Sequence, residues 1–278
     1  MILRSRKPLL ALALALVVAA CATSPTGRKQ LMLVSEDQAI SASRQAYVQE
    51  MSKYKQEGKL VTDSRLLNRV EVITERLVAQ AVKMRPDSAK WQWSVQVIDE
   101  PKTVNAWCMA GGRMAIYTGL IQQVDPTDDE LAQVMGHEIA HALANHTAER
   151  MSVAMASNVG VLAAGVLSDN PGQSMALAAA AAQMAVQLPN SRTSESEADQ
   201  IGIELAAKAG YDPRAAITLW QKMAKVGGGK APPEFMSTHP SDETRQDRLG
   251  KLAPKMMPFY QTGGTRPTHP VSMGPASV

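Results

Sequence analysis

The sequence predicts a mainly helical α+β fold with a small antiparallel β-sheet, and three observations carry that prediction. Most of the chain places apolar residues at the i, i+3, i+4 spacing of amphipathic helices. One stretch, Trp91-Gln92-Trp93-Ser94-Val95-Gln96-Val97, alternates as a strand does, and two more short strands flank Gly111-Gly112. No segment repeats, and roughly 250 residues beyond the leader can bury a substantial core as one domain.

The leader comes first. Arg4, Arg6 and Lys7 form a basic region, Leu9 to Val18 an apolar core, and Val18-Ala19-Ala20-Cys21 a small-residue cleavage site ending in cysteine. This resembles a bacterial lipobox, which implies a signal peptide over residues 1–20, cleavage before Cys21, and acylation of that cysteine as a membrane anchor. Ala22, where an aspartate would retain a sorted lipoprotein, places the expectation at the outer membrane, facing the periplasm. Residues 21–30, rich in Ser, Thr, Pro and Gly, read as a tether. The chain carries 29 Lys+Arg and 26 Asp+Glu. Removing the three basic leader residues leaves 26 of each sign, so nothing suggests a nucleic-acid partner. Cys108, without a second cysteine to pair with, reads as a small buried hydrophobe.

The domain is expected over residues 31–262. Ser35-Glu36-Asp37-Gln38 caps a helix reaching about Gln56, and a second runs from about Ser64 to Met84 with Leu66, Val70, Ile73 and Leu77 on one face. The strands follow. Thr127-Asp128-Asp129-Glu130 is a capping box after Pro126, and it opens a helix whose apolar positions include Leu131, Val134, Met135, Ala142 and Leu143. Residues 151–188 are dominated by Ala, Val, Leu and Met around a turn at Ser168-Asp169-Asn170-Pro171-Gly172-Gln173. Each half falls short of the roughly 20 apolar residues of a membrane span, so we expect a helical hairpin packed on the core and a candidate lid. A further helix opens at Ser194 and runs towards Gly210. Residues 263–278, containing Pro, Ser and Gly, are expected to form a loose tail.

The chemistry lies in two of these helices. His137-Glu138-Ile139-Ala140-His141 is an HExxH pattern, which puts two imidazoles on one helix face a turn apart, where they can share one Zn²⁺ while Glu138 reaches water beside it. The chemistry implied is metal-assisted peptide hydrolysis. A hydrolytic zinc needs a third protein ligand, and Ser194-Glu195-Ser196-Glu197-Ala198-Asp199 offers carboxylates. Glu195 and Asp199 share a face, whereas Glu197 lies about 200° around the helix from Glu195. Glu195 is therefore assigned to the metal, Asp199 to the free N–H of a ligating imidazole, and Glu197 to a solvated or structural role. His146, about 140° off the ligand face, reads as a helix-end residue, and His269 as solvated.

Together, His137-Glu138-x-x-His141 and Glu195-x-x-Ala198-Asp199 resemble the gluzincin-type zinc metalloproteases, the family of HtpX, the CAAX prenyl endopeptidase and BepA. Further similarity runs through Val104-Asn105-Ala106, Gly111-Gly112, Ile116 to Leu120, Ala209 to Pro213, and Ser237-Thr238-His239-Pro240 with Arg245. The resemblance implies a zincin-like domain holding one Zn²⁺ per chain, with Glu138 as general base. It implies that His239 either approaches the zinc and holds the enzyme inactive or donates to the transition state. Arg245 would orient carboxylates or substrate carbonyls, and Asn105 would start a substrate-facing edge strand.

Two classes of function follow. One is a lipid-anchored zinc endopeptidase acting on misfolded or stalled envelope polypeptides. The other is a lipid-anchored chaperone or outer-membrane assembly factor whose protease activity is weak or latent. An intact Glu138 favours the first, because a binding module has no chemical need for a base beside the metal. Oligomeric state is not legible.

Overall fold

A computed structural model describes residues 21–157, 190–226, 234–239 and 244–273. The expected signal peptide, the hairpin beyond Ser157 and the last five residues of the tail lie outside the described residues.

The described residues open with a two-stranded hairpin, β1 (Cys21–Thr23) against β2 (Lys29–Leu31). Helix α1 (Glu36–Gln56) starts at the expected capping box, with Ser35 Oγ accepting from Gln38 N and the Gln38 side chain accepting from Ser35 N. Helix α2 (Ser64–Met84) is capped by Asp63. Strands β3 (Ser94–Ile98), β4 (Ala106–Met109) and β5 (Arg113–Tyr117) follow, then α3 (Asp128–Leu143), α4 (His146–Ser157), α5 (Arg192–Ala209), α6 (Ala215–Lys225), the short α7 (Glu234–Thr238) and α8 (Arg245–Gln261). Helix α3 has its capping box through Thr127 and Glu130. At the end of α5, Gly210 takes a φ of 92°, a left-handed cap that glycine adopts without strain.

The α+β class holds, with one correction to the sheet. Its order is β3-β5-β4, with β4 antiparallel to β5 but β3 parallel to it, Ser94 facing Arg113 and Ile98 facing Tyr117. The sheet is mixed because β4 turns back beside β5 through Gly111 and Gly112 at φ of 84° and 80°, while β3 joins from the far edge. A Cβ on Gly112 would lie 2.4 Å from the Trp93 ring.

Both faces of this sheet are covered, and the two-residue period sorts its side chains. Val95, Val97, Ala106, Cys108, Met114 and Ile116 join the core under α2, α3 and α5, while Trp107, Met109, Ala115 and Tyr117 join a second core under α1 and α4. Cys108 is buried and unpaired, as expected, and burial raises its thiol pKa. Two segments cover the outer edge of β3: Val61 donates to Val97 O, and Val95 donates to Ser272 O in return for a bond from Ser272 N to Trp93 O. Near its end the expected loose tail thus pairs with the sheet edge at Ser272, with Val271 buried. The tether is likewise an ordered hairpin, whose Gln30 Nε2 donates to Ala144 O.

Helix α3 is buried on all sides from Glu130 to Leu143, the mark of a central helix. Its principal neighbour is α5, and two glycines set their separation. A Cβ on Gly136 would lie 2.9 Å from Gly202 O, and one on Gly202 would lie 2.8 Å from His137 N. Such contacts involve backbone on both sides, so no side-chain rotation relieves them. We expect Gly202→Ala to cost about 1–3 kcal/mol, as overpacked cores do, and to lower the urea midpoint accordingly. An unchanged midpoint would show that the helices do not cross this closely.

Candidate metal centre

Helices α3 and α5 meet where their functional residues lie. From α3 come His137, Glu138 and His141; from α5 come Glu195 and Asp199, about two turns and one turn before Gly202. The end of α7 adds His239, and the start of α8 adds Arg245. All seven are buried.

Four of them converge. His137 Nε2 lies 3.1 Å from His141 Nε2 and 3.4 Å from Glu195 Oε2, and His141 Nε2 lies 3.2 Å from Glu195 Oε1. His239 Nδ1 closes the group at 3.2 Å from His137 Nε2 and 3.0 Å from Glu195 Oε1. Zinc bonds of about 2.0–2.1 Å in a tetrahedron place ligand atoms about 3.3–3.4 Å apart, and these four residues bring one donor atom each to within 4.8 Å of one another, close enough to share one ion. Imidazole and carboxylate donors suit Zn²⁺.

The charges agree with a cation. Burial alone would push His137 towards neutrality, but Glu195 and Asp199 outweigh it and raise its pKa to about 9. That is a demand for positive charge, which a divalent ion also meets. Burial favours protonating Glu195, yet His239 and His137 overcome this and keep it ionised. His141 is driven the other way, well below its usual range, chiefly by burial. A neutral imidazole is the form that binds metal.

A surrounding set of bonds fixes the donors. His137 Nδ1 lies 3.1 Å from Asp199 Oδ1, so the ring's second nitrogen has the acceptor that orients a metal-ligating histidine. Arg245 is fully buried; its Nη1 donates to Glu195 Oε2 at 2.9 Å and its Nη2 to Asp199 Oδ1 at 2.6 Å. Its guanidinium stacks 3.7 Å over the Trp220 ring. His239 is held by its backbone N–H to Phe235 O, by stacking on the Phe235 ring at 4.5 Å, and by Asn190 Nδ2 at 3.3 Å from Nδ1.

Glu138 points beside the cluster. Its Oε1 is 3.3 Å from His239 Nε2, and burial raises its pKa, which moves a carboxylate towards the range of a useful proton acceptor. Asn105 lies apart from the four donors. Its Oδ1 accepts from Ala106 N, its Nδ2 donates to Glu234 Oε1 at 3.2 Å, and it directly precedes β4, whose outer edge pairs with no strand among the described residues.

Sequence reasoning passed over three residues. His146 is no simple helix-end residue, because its Nδ1 lies 2.7 Å from His141 Nδ1. Of the two roles expected for Glu197 the structure fits the structural one, for it is buried and lies 3.1 Å from His146 Nε2. Arg150 has its pKa brought down to about 10 by burial, in the field of Glu195 and Glu138, and among the described residues its Nε and Nη1 have no hydrogen-bond partner. The signal for His146 lay in α4, whose start at His146 after a left-handed Asn145 at φ 55° turns that ring back towards α3. Asn is among the residues that tolerate this conformation.

The comparisons with known proteins agree with this geometry. The pattern of peptidase family M48 matches residues 65–253, a span containing α3, α5 and the start of α8. Among curated relatives, human "Metalloendopeptidase OMA1, mitochondrial" is 34% identical over 243 residues, covering 84% of this chain and 45% of the relative. The Arabidopsis thaliana "Mitochondrial metalloendopeptidase OMA1" is 40% identical over 161 residues, 57% of this chain and 31% of that one. The "Beta-barrel assembly-enhancing protease" of Yersinia pestis is 29% identical over 221 residues, 76% of this chain and 43% of that one. The chain thus spans about half or less of the length of these relatives. The family match runs through both helices that carry the candidate ligands, and the chain belongs to peptidase family M48.

Proposed function

We propose that this chain is a zinc endopeptidase, lipid-anchored through Cys21 at the periplasmic face of the outer membrane, that cleaves unfolded or misassembled envelope polypeptides. The observation that carries the hydrolytic reading is Glu138, a buried carboxylate without an arginine clamp, on the helix that presents two of the clustered metal donors. His137, His141 and Glu195 would hold the metal, which when bound polarises the scissile carbonyl and makes water acidic enough to serve as nucleophile. Glu138 takes the proton from that water and returns it to the leaving amine. Asp199 and Arg245 hold His137 and Glu195 in place. The outer edge of β4, which Asn105 directly precedes, offers backbone groups on which an extended substrate can pair as an added strand.

The compartment rests on the lipobox at Val18 to Cys21 and on the likeness to a bacterial protease whose name refers to β-barrel assembly. No helix of the described residues is long and apolar enough to cross a membrane. The domain limits are proposed as read from the sequence, with residues 151–188 as a hairpin over the core.

One observation favours a latent resting state. His239 Nδ1 lies among the other donors at 3.0 and 3.2 Å, where a hydrolytic site otherwise admits water. A polypeptide entering along β4 would then have to displace His239.

Three outcomes are expected of the purified chain. Glu138→Gln retains about one zinc per chain but loses about 10²–10⁴-fold in casein cleavage, the usual contribution of a general base; undiminished cleavage would remove Glu138 from the chemistry. His239→Ala cleaves on the order of tenfold faster, the effect of lifting about 1.4 kcal/mol of inhibition; a slower variant would make His239 a contributor to turnover. In cells fed labelled palmitate, Cys21→Ser loses both the label and sedimentation with membranes; retention of both would refute the anchor.

A further inference from the structure

A line of bonds leads from the candidate metal centre to the hairpin of β1 and β2. His141, whose Nε2 faces the other donors, has its Nδ1 2.7 Å from His146 Nδ1. On its far side, His146 Nε2 lies 3.1 Å from Glu197 Oε2. Only one arrangement of protons satisfies both contacts with Nε2 of His141 free for a metal: His141 Nδ1–H donates to His146 Nδ1, and His146 Nε2–H donates to Glu197.

Glu197 is in turn held by the N-terminal hairpin. Thr26 Oγ1 donates to Glu197 Oε1 at 2.5 Å, and Arg28 Nε donates to Glu197 Oε2 at 2.7 Å. The other end of the Arg28 guanidinium grips Glu149 on α4 in a two-pronged contact at 2.7 and 2.6 Å. The hairpin fixes Arg28 from behind, since Ser24 N donates to Arg28 O and Ser24 Oγ accepts from Arg28 N. Glu197 thus meets His146 on one side and Thr26 and Arg28 on the other.

We propose that Arg28 and Thr26, acting through Glu197 and His146, are positioning residues for the metal ligand His141, so that the arm beginning at Cys21 is a working part of the metal centre. The inference rests on the zinc reading above. A ligating imidazole that loses the acceptor on its second nitrogen typically costs a site 10–100-fold in metal affinity. Here that acceptor is itself neutral, and its orientation depends on an anion anchored more than 160 residues away in sequence.

The test measures zinc affinity by chelator competition on the full chain, alongside the urea midpoint of the zinc-free protein. Glu197→Gln and His146→Ala should each weaken zinc binding about 10–100-fold, and Arg28→Ala should weaken it on the order of tenfold through the same line. The decisive comparison is a double-variant cycle: in a His146→Ala background, Arg28→Ala should have no further effect on zinc affinity, because the line is already cut. Arg28→Lys, which keeps the charge but not the fork, should fall between wild type and Arg28→Ala. Equal effects of Arg28→Ala with and without His146, or unmoved affinity in every variant, would overturn the proposal and leave the arm a merely structural element. If Arg28→Ala does not fold, Thr26→Val replaces it in the cycle, with the same two outcomes. A wild-type chain that binds no zinc would instead remove the reading on which the proposal stands.

Discussion

The close crossing of α3 and α5 is the constraint on which the site depends. In the proposed site neither helix alone could hold a hydrolytic metal: α3 would supply two imidazoles and a base, α5 a carboxylate and the acceptor that orients one imidazole. They can act together only if their backbones approach within side-chain reach of one another. Gly136 and Gly202 permit this, because a methyl group on either would meet main-chain atoms of the other helix at under 3 Å. The spacing along each helix then sets the register. Glu195, Asp199 and Gly202 fall on one face of α5, just as Gly136 lies beside His137 on α3, so the point of contact is also the point of chemistry. Surrounding layers serve this crossing: the sheet and α2 pack under α3, and α8 brings Arg245 across the junction.

Such a junction gathers more charge than a protein interior tolerates unpaired. Glu138, Glu195, Asp199 and Glu197 are all buried, and an isolated buried carboxylate would take up a proton instead of staying charged. The structure divides the compensation. Arg245 spans Glu195 and Asp199, Arg28 holds Glu197, and the remaining demand falls on His137, whose pKa rises as a result. Removing one partner from a buried set of this kind typically costs about 3–5 kcal/mol, so the clamps stabilise the fold as well as the metal donors. Glu138 has no such clamp.

Much of this was legible in the sequence because it is local. The capping boxes at Ser35 and Thr127, the five-residue histidine pattern, and the choice of Glu195 and Asp199 as one helical face all follow from spacing within a single element. What sequence spacing could not supply was the partner of a residue that leaves that face. His146, 140° from the ligands on a continuous helix, returns to His141 because the chain breaks at Asn145 and restarts as α4. Glu197, on the opposite side of α5 from Glu195, would be solvated were it not for Arg28, and nothing in the composition of the tether marks that residue as a structural anchor. The parallel pairing of β3 with β5 escaped for a similar reason: alternation shows which faces a strand buries, not which neighbour it takes. The tail reads as loose by composition, yet two backbone bonds at Ser272 suffice to lay it along an open sheet edge.

The central claim is that one zinc ion sits where α3 and α5 meet, and anomalous diffraction at the zinc edge from crystals of the purified chain tests it most directly. The account predicts a single peak about 2.0–2.2 Å from His137 Nε2, His141 Nε2 and a Glu195 oxygen, with His239 Nδ1 nearby. A peak coordinated by other side chains, or well-ordered histidines with no peak between them in zinc-saturated crystals, would contradict it.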